Sequence, residues 1–389
     1  MSLRSPLTTR SKLPDVGTTI FTVIGQLSAQ HHAINLSQGA PNFACDARLV
    51  AGVTRAMAEG HNQYAPMTGL PALKERIAGK IAALYGTRYD VDHEVLITAS
   101  ASQGIYSAIG GLVHPGDEVI YFEPSFDSYA PIVRLQGATP VAIKLTVPDF
   151  NVNWDEVRAA ITPRTRMIIV NTPHNPTGAI WSEQDWRQLI ELIQDKNIVV
   201  LSDEVYEHLV FDGRKHYSAL QFPELRERSY VIGSFGKSYH VTGWKTGYCV
   251  ASANLMRLFR QIYQFANFCG TTPCQIALAD YMQQHPEHIQ ELPDFYQAKR
   301  DLFNAQIENS RFKLIPSQGT YFQSLDYSAI RPDLNDIEMC QFLAEQHKIV
   351  AIPISVFYKN APDDLRLIRF CFAKTDQTLQ HAGEILVRC

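Results

Sequence analysis

In Ser234-Phe235-Gly236-Lys237-Ser238, a lysine sits between glycine and serine just past the apolar run Tyr230-Val231-Ile232. An amine at a strand end can condense with a carbonyl or carry a proton, provided burial or neighbouring charge lowers its pKa. The plain alternative is a solvated loop lysine. A phosphate loop ending in Gly-Lys-Ser is excluded, because that motif needs a glycine five places before Gly236 and position 231 is valine. Asp203 follows Ile198-Val199-Val200-Leu201-Ser202. A carboxylate at the end of a buried strand needs a cation or hydrogen-bond donors, although on its own it serves equally as a helix cap. Arg369, inside Leu367-Ile368-Arg369-Phe370-Cys371-Phe372, needs an anion: a carboxylate of the protein itself, or one from a ligand gripped by the guanidinium fork. Asn175 lies in Asn171-Thr172-Pro173-His174-Asn175-Pro176-Thr177-Gly178, a turn stiffened by two prolines.

These residues must be placed by the elements around them. β-rich runs at 95–98, 118–122, 140–144, 167–170, 198–202, 230–234 and 247–250 alternate with helix-like segments. Ser182-Glu183-Gln184-Asp185 resembles a capping box, with Trp186, Leu189, Ile190 and Ile193 at helical spacing behind it. Such alternation predicts an α/β fold with a mostly parallel sheet. Ligands of parallel sheets sit beyond the carboxyl ends of the strands. Ser100 and Ser102, Phe126, Asn175, Asp203 and Lys237 each follow or end one of these runs, so their loops are expected to open on one edge. Ser100-Ala101-Ser102 opens a helix-like stretch at 105–112 and offers either ordinary capping or a phosphate site. Beyond about residue 285 the pattern changes to helices near 293–309 and 336–347 and strands near 349–353 and 365–371, a smaller α+β unit.

Composition narrows the classes. The chain has 389 residues, 46% hydrophobic and 19% charged, which is ordinary for a globular protein. A net charge of -4 with both signs interspersed offers no nucleic-acid surface. Seven scattered cysteines without a CxxC pair favour free thiols over disulfides or a metal site. No apolar segment follows Arg4, Arg10 and Lys12, and none approaches the length of a membrane span, so a cytoplasmic protein with no membrane partner is expected.

Taken as a set, the Asn175 turn, Ser202-Asp203-Glu204-Val205-Tyr206, Ser234–Lys237 with Lys245, and the Arg369 strand resemble the class I aminotransferases of fold type I, which use pyridoxal 5'-phosphate. The likeness runs from Asn35-Leu36-Ser37-Gln38-Gly39 through Gln63-Tyr64-Ala65-Pro66 to the Arg369 strand. It is closest to the methionine and kynurenine (glutamine-phenylpyruvate) aminotransferase subgroup. The resemblance implies that Lys237 bonds the cofactor aldehyde and, once displaced by an amino acid, moves the proton at its α-carbon. It places Asp203 beside the pyridine nitrogen, Tyr206 and Asn175 on the phenolate oxygen, and Phe126 on the ring. Ser100, Ala101, Ser102, Ser234 and Lys245 would surround the phosphate, with His174 as scaffold.

The same resemblance implies three parts: an N-terminal arm with part of the small domain (1–44), a large cofactor-binding domain (45–285) and a C-terminal small domain (286–389). It implies a homodimer with the site at the subunit interface, where Tyr64 reaches the partner's cofactor phosphate. Substrate amino acids and 2-oxo acids would meet Arg369 and Asn175, the Gly39 backbone, and Phe21 on the arm. Methionine, then aromatic amino acids, are the expected donors in a ping-pong exchange. β-Elimination on cysteine conjugates or cystathionine is the alternative on the same site. A cofactor-sensing transcription regulator would need a basic DNA-binding module, for which residues 1–30 are too short. Departures from the pattern include Lys245 where many relatives carry arginine, Ala40 and Asn42 for bulkier and acidic residues, and Ser100 for a frequent glycine.

Overall fold

The computed structural model describes residues 9–389, so the start of the expected arm, Arg4 included, lies outside the described residues. Strand β1 (Ile34–Asn35) precedes a central sheet of β2 (Val95–Thr98), β3 (Glu118–Glu123), β4 (Thr139–Lys144), β5 (Thr165–Asn171), β6 (Val199–Asp203), β7 (Ser229–Ser234) and β8 (Gly247–Ala251). Each predicted run forms its strand, with ends shifted by no more than two residues. The order is β2-β8-β7-β6-β5-β3-β4, parallel throughout except for β8, which runs against both neighbours.

Unbroken apolar strands imply burial on both faces. Strands β2, β3, β6 and β8 are buried at every position, whereas β4, on the edge, is half exposed. Side chains alternate between two cores as the period-2 pleat requires. Ile97, Ile168, Val200 and Val231 share one core with Trp186 and Leu189. Leu96, Ile169, Leu201 and Ile232 face Ile109 and Phe259 in the other. There helices Ala101–Leu112 and Ala253–Ala266 cross closely: a Cβ on Gly111 would lie 2.8 Å from the Leu258 carbonyl oxygen. The Ser182 capping box forms as read, with Asp185 N–H donating to Ser182 Oγ (3.2 Å) and Ser182 N–H to Asp185 Oδ2 (2.8 Å).

The remaining strands are β9 (Lys313–Leu314), β10 (Phe322–Asp326), β11 (Ile349–Val350), β12 (Ile352–Pro353) and β13 (Leu367–Cys371). An antiparallel sheet runs β12-β13-β10-β9, and β1 pairs in parallel with β11. The stretch expected as one strand over 349–353 is thus two, broken at Ala351 and paired into different sheets. The helix expected over 293–309 begins earlier, as His288–Ile307, with Pro293 inside it. A proline removes only one intrahelical bond there, close to an end where few such bonds exist. Helix Ile20–His31 packs against β11 and β12, and Phe21 at its start lies 5.9 Å from the Arg369 guanidinium on β13. No helix among the described residues is long and apolar enough to cross a membrane.

Candidate active site

Parallel strands end on one edge, and there a cavity of about 200 Å³ opens. Ser100, Ala101, Ser102, Phe126, Asn175, Asp203, Tyr206, Ser234, Lys237 and Lys245 all line it. Lys237 sits in a helical turn, Phe235–Ser238, directly after β7. Just before it, the Tyr248 side chain of β8 lies over Gly233, where a Cβ would sit 2.0 Å from the ring. Burial draws the Lys237 pKa down to about 8, with Arg369 and Lys245 adding to that fall and Cys371 and Asp203 opposing it. The amine is therefore partly neutral near physiological pH, as a nucleophile or base must be.

Asp203 ends β6, and no helix starts behind it, so the capping reading fails. Its carboxyl accepts from Tyr129 Oη (2.6 Å) and from the Val205 amide (3.3 Å). Burial nonetheless raises its pKa to about 6, against the lowering effect of those bonds and of Lys237. A buried carboxylate held that way is poised for a cation in the cavity. Asn171, also in the lining, ties the floor together: its amide nitrogen donates to the Asp203 carbonyl (2.9 Å) and its Oδ1 accepts from the Asn175 N–H (2.9 Å). His174 is buried, bonded to Thr177 Oγ1 (2.7 Å), and held to a pKa of about 4 by burial, which suits a scaffold residue.

The cavity's other end is built for an anion. Helix Ala101–Leu112 begins at the lining, with Ser100 as its cap at φ +92°. The first amides of a helix have no partner inside it, and Ser234 and Lys245 line the same cavity. An aldehyde-bearing, phosphorylated pyridine such as pyridoxal phosphate fits this donor set: amine, carboxylate, flanking Phe126 ring, and a cationic helix terminus.

Arg369, on β13, is 1% exposed. It donates from Nη1 to Asn175 Oδ1 (2.7 Å) and from Nη2 to the Ser37 carbonyl (3.1 Å), while Nε is buried without a partner. Its guanidinium lies 3.8 Å above the Phe322 ring, with Phe357 and Phe21 at 5.3 and 5.9 Å. Burial pulls its pKa down to about 10 against the opposing pull of Tyr206, Cys371, Tyr321 and Asp127, and it forms no ion pair with a carboxylate among the described residues. The internal salt bridge that the sequence left open is therefore absent among those residues. Tyr64 does not join the cavity; it is 83% exposed and packs edge-on against Phe268 at 5.5 Å.

Sequence reasoning passed over Asn171, Tyr129 and Tyr321. Tyr321 Oη accepts a hydrogen bond from Lys237 Nζ at 3.0 Å. Asn171 opens the turn read for Asn175, and nothing local distinguishes a tyrosine hydroxyl aimed at the site from one in the core.

A family model described as aminotransferase class I and II matches residues 31–386. The chain is 48% identical over 382 residues to the methionine aminotransferase of Escherichia coli K12, covering 98% of each. It is 32% identical to kynurenine–oxoglutarate transaminase 3 of Rattus norvegicus, covering 92% of this chain and 86% of that one. An Escherichia coli crystal structure, from work identifying a methionine aminotransferase function, superposes with a TM-score of 0.96 at 47% identity, covering 99% of this chain and all of the other.

Proposed function

The chain belongs to the class I and II aminotransferases, and from that premise we propose that it moves the amino group of methionine, and of aromatic amino acids, to a 2-oxo acid. The observation that carries the substrate side is Arg369, a buried guanidinium whose Nε has no partner and which makes no ion pair with a carboxylate among the described residues. A substrate α-carboxylate supplies the missing anion, held by the fork and by Asn175. Beside it stand the rings of Phe21, Phe322 and Phe357. These rings favour an apolar donor side chain over one ending in a second carboxylate.

Pyridoxal phosphate, the cofactor of the family, supplies when bound an aldehyde that takes up amino groups and a pyridinium ring that accepts electrons. The chain's residues do the rest. Asp203, kept ionised by Tyr129, would hold the pyridinium proton, while Tyr206 and Asn175 would donate to the phenolate oxygen. Lys237 carries the proton away from the substrate α-carbon, its lowered pKa matching that task. Ser100–Ser102, Ser234 and Lys245 would hold the phosphate. After one 2-oxo acid leaves, the second enters against the same arginine, so the kinetics are ping-pong.

We also infer a homodimer. Tyr64, Phe265 and Phe268 are exposed at 83, 87 and 44%, an apolar surface that a second copy would cover. Tyr64 would then reach the neighbouring cavity. All seven cysteines are free, which accords with a reducing, cytoplasmic setting.

The deciding experiment adds single amino acids to the cofactor-loaded protein without any acceptor. Methionine should bleach the yellow absorbance and release its 2-oxo acid stoichiometrically. A protein that responds to aspartate and not to methionine overturns the donor assignment. Pyruvate released catalytically from a cysteine conjugate would instead assign a lyase.

A further inference from the structure

Among the described residues the Lys237 amine has two hydrogen-bond partners, Tyr321 Oη at 3.0 Å and the Gly39 carbonyl oxygen at 3.4 Å. These partners are bonded to each other, since Tyr321 donates its hydroxyl proton to the same carbonyl at 2.6 Å. With that proton committed, Oη turns only lone pairs toward Nζ. Burial holds the Tyr321 pKa well above that of a free phenol, so the ring stays neutral and acts as a fixed acceptor.

The ring has little room to move. It is fully buried and packs against Tyr206 at 5.1 Å, Phe322 at 4.9 Å and Tyr296 at 5.7 Å. Gly39 is pressed onto the same surface: a Cβ there would lie 2.8 Å from Phe322 Cζ and 3.2 Å from Tyr321 Cε2. The triangle of amine, phenol and carbonyl thus joins the turn after β7, the residue before β10 and the loop after β1.

We propose that Tyr321 is a positioning residue for Lys237: its hydroxyl, anchored on the Gly39 carbonyl, holds the amine at one point whenever the lysine is free to carry a proton. The inference rests on the proton-carrying role proposed above. An acceptor facing an ammonium favours its protonated form. The other groups acting on that charge are Cys371, Arg369, Lys245 and Asp203, with the Tyr206 ring 5.6 Å away, and none of them is a hydrogen-bond partner of the amine. Removing the hydroxyl leaves the two neighbouring cations less opposed.

The test titrates Lys237 in the full-length, cofactor-free protein by pulse acetylation with acetic anhydride between about pH 6 and 10, read by mass spectrometry. Tyr321→Phe should lower the apparent pKa by about one unit. In the holoenzyme, the single-turnover reaction with saturating methionine should slow roughly 10-fold, with cofactor affinity unchanged. Tyr296→Phe, which deletes a buried hydroxyl that has no partner, should change neither. Gly39→Ala, which forces the carbonyl off the phenol, should move the titration in the same direction. An unshifted lysine in both Tyr321→Phe and Gly39→Ala overturns the proposal, as does a shift without slowing, or a Tyr296→Phe variant that reproduces the effects. The titration does not depend on which amino acid is the donor. Failure with methionine would therefore sink the substrate assignment and leave the titration result standing.

Discussion

Tyr129 donates its hydroxyl to Asp203 Oδ2 across 2.6 Å, with both groups buried beneath the cavity. The bond opposes the burial that raises the carboxyl toward protonation. Tyr129→Phe should push the Asp203 pKa further up, by about one unit. A protonated Asp203 cannot pair with a pyridinium, so cofactor affinity should begin to fail at a higher pH. Equilibrium dialysis is expected to show about 5-fold weaker binding near pH 6 and nearly unaltered binding near pH 8. Equal weakening at both values would show that the bond does not act through the carboxyl.

The same burial has a consequence for stability. The folded pKa of Asp203 is raised from 3.8 to about 6. Its contribution is therefore fully present below pH 3.8 and lost as pH rises through about 6. In the cofactor-free protein Asp203→Asn should remove this loss, gaining up to about 3 kcal/mol on the wild type between pH 4 and 7. Urea unfolding of the two proteins across that range measures the difference. Parallel curves would mean the carboxyl is better solvated than its position implies.

Lys237→Ala removes the amine proposed as both covalent anchor and proton carrier. Transamination should fall by at least about 10²–10⁴-fold, and the amino-acid-sensitive visible band should disappear. Retained turnover in this variant would invalidate the site.

Arg369→Lys keeps the charge but not the fork. The catalytic efficiency kcat/KM should fall on the order of 100-fold for every amino acid tested, while cofactor affinity stays within about twofold because Arg369 lies outside the cofactor cavity. A parallel loss of cofactor binding would place the guanidinium in the wrong role.

Phe21 lies 6.3 Å from Phe357 and, with it, walls the space above Arg369. Phe21→Ala should cost methionine about 10–100-fold in kcat/KM and alanine much less, since only the longer side chain reaches that wall. Equal losses for both donors would mean that Phe21 orders the arm rather than contacting substrate.

The strand-end rule made much of this site legible. Lys237, Asp203 and Asn175 each stand just beyond an apolar run, and parallel strands deliver such positions to one edge. Tyr129 and Tyr321 were hidden because their bonds to the site span 74 and 84 residues. Their surroundings, Pro124–Tyr129 and Gly319–Phe322, look the same whether the hydroxyl points at a carboxylate or into the core. Arg369 was recognised as needing an anion, but only the folded chain shows that Nε is left without a protein partner among the described residues. The division of 349–353 between two sheets was equally invisible, because both halves are uniformly apolar and fully buried.

Strand β1 pairs with β11, residue 34 against residue 349. A ribosome therefore releases the cofactor cavity, whose lining ends at Thr246, long before it releases Arg369 and the strand that completes the Ile34 segment. Domains close as their segments emerge, and contacts of high sequence separation come last. The residues lining the cofactor cavity are thus all made before Arg369, and the substrate grip proposed for that arginine waits until the chain's two ends meet.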